Sequence, residues 1–413
     1  METPKLRGIE AFPMAQGGQR FIALRDPAGY TESILLLPQA LVDVVALFDG
    51  EHSIGQIQAD LSRRYEGENV TRADIDKIVS MLDEHGFLES PSFAKRRAKV
   101  DGAFLGATTR PASHAGGAYP GKADELRASM DAFFTHQEGP GVIAWPPKPS
   151  APAVEAIIAP HIDFHRGGPA YAWAYRDLAE RCAADLFVIV GTCHVGMRHP
   201  FALTRKDYDT PLGPARADRD FVEALAARAA QDCFGSELAH RNEHSIEFQA
   251  VFLQYLYAGR RDITVVPVLA SFAHEALARR RRPTADARVA RFLAALGETI
   301  AASGRRVALI AGADLAHMGP RFGDPRPIAK AERARIEAED RKMLETVERG
   351  DAEAFFDSVA ADGDRRRICG LSPIYAVLHA LDGRLGALKR YGMWPDPEGI
   401  VSYASVVFDG SAS

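Results

Sequence analysis

Between residues 156 and 408, short apolar runs rich in β-branched residues alternate with segments of helical periodicity, and nothing else in the chain restricts its fold as strongly. The strand-like runs cover residues 156–159, 186–190, 263–268, 307–311 and 401–408. The helical patterns cover 171–184, 218–230, 245–257, 287–302, 328–348 and 373–381. Such alternation predicts an α/β fold, a three-layer sandwich with helices on both faces of a central mixed sheet. A further amphipathic helix is expected over 123–134, with Leu126, Met130, Phe133 and Phe134 on one side, followed by a loop at Pro146-Pro-Lys-Pro149. With 413 residues and 46% apolar content, the chain has material for a full core and for two domains.

The first 90 residues read as a separate small domain. Strands are expected over 21–24 and 33–37, around the turn Asp26-Pro-Ala-Gly29. Pro38 suits a first helical position ahead of Leu41, Val44, Val45 and Phe48, with Gly50 as a stop. Ser53 with Gln56 has the capping-box form and opens a helix through Ile57 and Leu61. Thr71 can cap a third helix carrying Ile75, Ile78, Val79 and Leu82, which Gly86 ends before a small wing strand at Phe87-Leu88. This is a winged-helix-like pattern, and residues 36–88, with Phe48-Asp-Gly50 at their centre, resemble the PqqD-like family of peptide-recognition domains. The resemblance implies a peptide or protein partner. DNA is a poor fit, because 15 Asp and Glu face only 8 Lys and Arg up to Ser90, and phosphate binding needs a basic face. Residues 91–109, with Lys95-Arg-Arg97 and Lys99, read as an exposed linker to a second domain over 110–410. The run Arg279-Arg-Arg-Arg282 reads as a solvated loop or helix end.

A net charge of −5 gives no reason to expect nucleic acid or an anionic membrane as partner. No apolar stretch approaches the roughly 20 residues that span a bilayer, and no signal-peptide core is evident, so a cytoplasmic protein is expected. Four cysteines in a chain of this length do not form a disulfide framework.

Chemistry-bearing side chains gather in five blocks: Ala159-Pro-His-Ile-Asp-Phe-His-Arg-Gly-Gly168, Gly191-Thr-Cys-His-Val-Gly196, Asn242-Glu-His-Ser-Ile-Glu-Phe-Gln249, Ala311-Gly-Ala-Asp-Leu-Ala-His-Met-Gly-Pro-Arg-Phe322 and Cys369-Gly-Leu-Ser-Pro-Ile374. Three of them follow strand-like runs, and strand ends are where sites assemble in open α/β sheets. His161 and His194 stand in corresponding places after their strands. Either alone reads as a structural histidine; the pair, at what look like adjacent strand ends, reads as metal ligands. Cys369 precedes a helix start and follows Arg365, Arg366 and Arg367, which would favour a thiolate, against the alternative of a small buried hydrophobe. Asp314 and His317 form a candidate acid–base pair. Glu243-His244 opens a helix, where capping competes with a catalytic role.

Together with Gly117-Ala-Tyr-Pro120, these blocks resemble, in order, the Memo family, including bacterial members called AmmeMemoRadiSam system protein B. The resemblance spans about residues 110–410 and implies a fold like that of class III extradiol dioxygenases. It implies metal ligation by His161, His194 and Cys369, with His317, Asp314 and His244 as catalytic residues lining the pocket. It also implies a divalent metal, Fe(II) first and copper second, because a thiol replaces the carboxylate of the dioxygenases and softens the ligand set. Two further departures are Val195, where many Memo sequences carry another histidine, and the addition of Asp163 and His165 as possible supporting partners. The expected function is a non-heme metal oxidoreductase acting on a small molecule or peptide. The alternative is a non-catalytic metal-binding adaptor whose N-terminal domain holds a partner.

Overall fold

A computed structural model of the protein describes residues 1–65, 70–145, 153–396 and 398–410, which leaves the expected loop at Pro146–Pro149 outside the described residues. The chain forms two compact units, Met1–Gly106 and Ala107–Ser413.

In the first unit, β1 (Glu10–Gln16), β2 (Gln19–Arg25) and β3 (Leu35–Pro38) make an antiparallel sheet in that order. The helices are α1 (Gln39–Val45), α2 (Ile54–Arg64), α3 (Arg72–Glu84) and α4 (Pro91–Gly106). Reciprocal capping boxes start α2 at Ser53 and α3 at Thr71, because each cap side chain accepts the third backbone N–H while the third side chain returns to the cap. Two expectations fail here. Phe87-Leu88 is no wing strand; Leu88 makes a lone bridge to Leu6. The stretch expected as a linker is mostly α4, which buries Phe93 and Phe104. Its basic residues mislead because Arg96 is spent on the end of α3, donating to the carbonyls of Glu84 and His85.

The second unit begins with β4 (Thr109–Arg110), α5 (Ala123–Thr135), β5 (Val154–Ala159), α6 (Phe164–Arg181), β6 (Leu186–Thr192), β7 (Phe201–Leu203), β8 (Asp207–Tyr208) and α7 (Arg219–Ala229). It continues through α8 (His244–Tyr257), β9 (Thr264–Ala270), α9 (Ala273–Ala278), α10 (Ala287–Ser303), β10 (Val307–Gly312), β11 (Asp314–Met318), α11 (Lys330–Glu348), α12 (Ala352–Ala360), α13 (Leu371–Leu381), β12 (Gly386–Asp396) and β13 (Gly399–Asp409). An eight-stranded sheet runs β11-β13-β5-β10-β6-β9-β7, with β12 also paired to β13. Its centre, β5-β10-β6-β9, is parallel, and β7, β11, β12 and β13 are antiparallel to their neighbours. This is the mixed-sheet sandwich that the alternation predicts.

Both faces are buried, as parallel strands require. On β6, Val188 and Val190 face the layer of α7, α10, α11, α12 and α13, while Phe187 and Ile189 face α5, α6 and α8. The helix α8 is almost entirely buried, which explains why its apolar residues run all round rather than along one stripe. Ser245 Oγ donates to Thr192 O at 2.7 Å and Gln249 Nε2 to Pro160 O at 2.8 Å, so the start of α8 is tied to the ends of both β5 and β6. Gly312 permits this approach, since a Cβ there would lie 2.4 Å from Ser245 O.

Candidate functional site

Parallel strands deliver three of the five blocks, and the start of α8 and the loop before α13 bring the other two beside them. His161 follows the end of β5 by two residues, His194 that of β6, and Asp314 that of β10. The two histidine-bearing strand ends are not neighbours, contrary to the sequence reading, because β10 inserts between β5 and β6. The insertion is useful: it brings Gly312 O within 2.9 Å of His161 Nδ1 and Asp314 Oδ1 within 2.9 Å of the His161 backbone N–H.

A carbonyl can only accept, so Nδ1 of His161 carries the proton and Nε2 is left with a free lone pair. The Cys369 thiol stands 3.3 Å from that nitrogen. Burial pushes His161 down to about 3, so the ring is neutral at physiological pH. His194 is oriented by Glu243, whose carboxylate takes its Nδ1 at 3.0 Å and its backbone N–H at 2.8 Å. Burial disfavours a charged His194, but the charge and hydrogen bonds of Glu243 outweigh it and hold the ring above the usual histidine value. Glu243 is the N-cap of α8, accepting from Ser245 N. Burial opposes its ionisation, yet His194 and His244 hold it well below the usual carboxylate range. Glu243 thus both caps α8 and orients His194.

His244 completes a cluster of rings, stacked on His194 at 4.8 Å and edge-on to His161 at 5.1 Å, with His161 and His194 5.0 Å apart. Burial, first of several causes, lowers its pKa far below the ordinary value. Donor atoms of His161, His194 and Cys369 lie within 4.8 Å of one another, as do those of His194, Glu243 and His244. Asp314 is buried beneath His161 and pushed up to about 6 by desolvation, with His317 and backbone N–H groups acting the other way. His317, on β11, donates from Nδ1 to Leu315 O at 3.1 Å and packs edge-on against Phe322; burial lowers its pKa despite Asp314.

Two expectations need correction. Cys369 is not primed as a thiolate: burial and Asp314 push its thiol well up. The neighbouring arginines do not act on it, because Arg365 pairs with Glu339, Arg366 with Asp340 and Arg367 with Asp324. His165 is exposed and its ring accepts from Arg166 Nε at 3.2 Å, while Asp163 stands at the start of α6 in a 3.7 Å ion pair with Arg166. Neither reaches the cluster. All four cysteines are free.

Sequence reasoning missed a buried support behind α8. Fully buried Arg110 donates to Glu247, to Glu243 O at 2.7 Å and to His240 O at 3.0 Å. Glu247 also accepts from Tyr119 OH and from His114 Nδ1 at 2.8 Å, which sets the His114 ring 5.5 Å from His244. The available signal was the spacing of Glu243 and Glu247, four apart and so on one helix face.

Comparison with known proteins bears on the same region. Residues 110–407 match the family model described as Memo-like protein. A "MEMO1 family protein" of Aquifex aeolicus is 26% identical over 410 residues, spanning 98% of this chain and 99% of that one. A relative of the same description from Aeropyrum pernix is 32% identical over 284 residues, covering 68% and 89%. One from Thermus thermophilus is 27% identical over 82% of this chain.

Proposed function

This chain belongs to the Memo family, and from that premise we propose that its crevice is a divalent-metal centre held by His161, His194 and Cys369, serving a non-heme oxidoreductase related to class III extradiol dioxygenases. The observation that carries the reading is the donor set: three ligand-type atoms gather within 4.8 Å while each imidazole has its Nδ1 engaged elsewhere. Carbonyl or carboxylate partners on the far nitrogen are the arrangement that orients metal-binding histidines. The soft thiol beside two imidazoles accommodates Fe(II) or copper, with Fe(II) preferred for the two nitrogen donors and the nearby Asp314.

A bound ion would supply Lewis-acid or redox chemistry at this point. The chain's own residues do the rest. His317 stands beside Asp314 on β11 with Nδ1 donating to Leu315 O, and Asp314, with its raised pKa, is poised to share a proton near neutrality. His244 is neutral and packs against His194. His161 is 1% exposed whereas the side chain of His194 is 36% exposed, so substrate enters over His194 and the exposed Val195. The substrate class is a small molecule or a peptide. The acidic N-terminal unit, in its resemblance to PqqD-like domains, would recognise the peptide or a protein partner. No helix among the described residues is long and apolar enough to cross a membrane.

Elemental analysis of protein purified without oxygen, beside a His161→Ala, Cys369→Ala double variant, tests the proposal. Near-stoichiometric iron that is lost in the variant supports it, and copper in its place corrects the metal. Equal, negligible metal in both sinks it. Metal without any oxygen uptake across candidate substrates would favour the adaptor reading.

A further inference from the structure

One buried carboxylate has no part in the donor set and yet reaches both chemical groups on the thiol side of the crevice. Asp340 lies on α11 with 0% exposure. It accepts from the Arg366 guanidinium, from Tyr391 OH at 2.9 Å and from Ser402 Oγ at 2.6 Å. Ser402 Oγ in turn accepts the backbone N–H of Ala316 at 2.9 Å. Arg366, itself 3% exposed, turns its carbonyl to the backbone N–H of His317 at 2.8 Å. Adjacent residues of β11 are thus gripped from two directions by partners of a single side chain.

The same arginine governs the thiol. Cys369 follows Arg366 by three residues, at the end of a loop in which Asp364 and Arg367 hold φ of 56° and 53°. Non-glycine residues in the left-handed region are costly, so such a loop needs anchoring from outside. Arg365 and Arg367 anchor it through partly exposed ion pairs, which contribute little. The Arg366–Asp340 pair is buried on both sides, whereas the other carboxylates near Arg366, Glu339 at 3.7 Å and Asp362 at 3.9 Å, are partly exposed, so Asp340 is its buried partner. Close approach at the loop's end is permitted by Gly370, where a Cβ would lie 2.5 Å from Asp314 O.

We propose that Asp340 is the positioning residue of the thiol side: through Arg366 and Ser402 it holds β11 and the Cys369 loop in register, so that the thiol meets His161 Nε2 and His317 faces the same crevice. The consequence for metal affinity rests on the metal-centre reading; the geometric consequence does not.

The test compares Asp340→Asn, Ser402→Ala and, as control, Tyr391→Phe, which removes a hydrogen bond to the same carboxylate while leaving the Arg366 and Ser402 bonds that lead to β11 and the loop. Two readouts are taken on the full chain. One is the rate at which iodoacetamide alkylates Cys369 in metal-free protein, followed by mass spectrometry, with protection of buried Cys182, Cys193 and Cys233 as the measure of an intact fold. The other is the near-ultraviolet thiolate-to-cobalt absorption and dissociation constant on titration with Co(II). Asp340→Asn is expected to speed alkylation of Cys369 and to weaken cobalt binding about 10- to 100-fold, the range seen when a ligand's supporting partner is lost. Ser402→Ala should shift both in the same direction by less, and Tyr391→Phe should resemble the wild type. A folded Asp340→Asn with unchanged alkylation and cobalt absorption overturns the proposal. If Asp340→Asn does not fold, an unchanged Ser402→Ala overturns it instead. Failure of the wild type to bind cobalt through its thiol would count against the metal centre, and the alkylation rates would still decide the role of Asp340.

Discussion

His161, His194 and His244 stand at the ends of elements whose apolar patterning also builds the core, whereas Cys369 and His317 stand on a strained loop and on β11, an edge strand whose register with β13 shifts between Asp314 and His317. The histidine side inherits its precision from β5, β6 and α8, which could hardly move without opening the core. The thiol side borrows its precision from ion pairs and hydrogen bonds to α11 and β13. The difference suggests a division of labour, in which the rigid side presents nitrogen donors and the stapled side sets the distance of the thiol and the acid–base pair.

The sharpest way to break this contrast is Glu243→Ala. It removes the α8 cap and leaves the His194 ring and backbone N–H without their acceptor, so a loss of about 2–4 kcal/mol is expected in denaturant unfolding. A loss under about 1 kcal/mol would mean that the histidine side owes little to this carboxylate. On the thiol side, Gly370→Ala forces a methyl to within 2.7 Å of Ala313 Cβ and closer still to Asp314 O. It should cost about 1–3 kcal/mol. Cys369 should also become easier to alkylate, while His194 and Glu243 keep their wild-type NMR shifts.

Acid should weaken the histidine side through His240, whose carbonyl helps to hold Arg110 and whose ring is pushed down from 6.5 to about 3 by burial. The ring is neutral when folded and takes up a proton near 6.5 when unfolded. Its stabilisation is therefore present above pH 6.5 and lost as pH falls from there toward 3, at about 1.4 kcal/mol per pH unit. Unfolding of wild type and His240→Gln across that range checks the slope, which should be shallower in the variant. The smallest effect belongs to His165→Ala, since the ring is exposed and outside the cluster: under about 0.5 kcal/mol, with metal content unchanged. Lost metal there would restore His165 to the site.

Much of the frame was legible before any coordinates. The five strand-like runs become β5, β6, β9, β10 and β13, and the long helical patterns become α5, α6, α7, α8, α10, α11 and α13. What escaped notice were elements without strong periodicity. β12 is half-buried along nearly its whole length and carries Lys389, Arg390 and Pro395; β1 is exposed at six of its seven positions. The helix α4 hid behind a basic run that composition alone assigns to a linker. In the site, His161, His194, His244, Asp314 and Cys369 do meet, and His317 lies beside Asp314 on the same short strand. The thiol's charge state did not follow, because the neighbouring arginines turn to Glu339, Asp340 and Asp324.

Local patterning determined which segments became strands and helices and which side chains would stand at strand ends, because periodicity and strand termination are properties of a few consecutive residues. Strand order was a tertiary decision: β10 enters between β5 and β6 and turns two separate histidines and an aspartate into one crevice. So was the meaning of Arg110, Glu247 and Asp340. A charged residue reads the same in a sequence whether solvated or buried, and its role depends on partners that only folding brings within reach across a hundred residues or more in the case of Arg110.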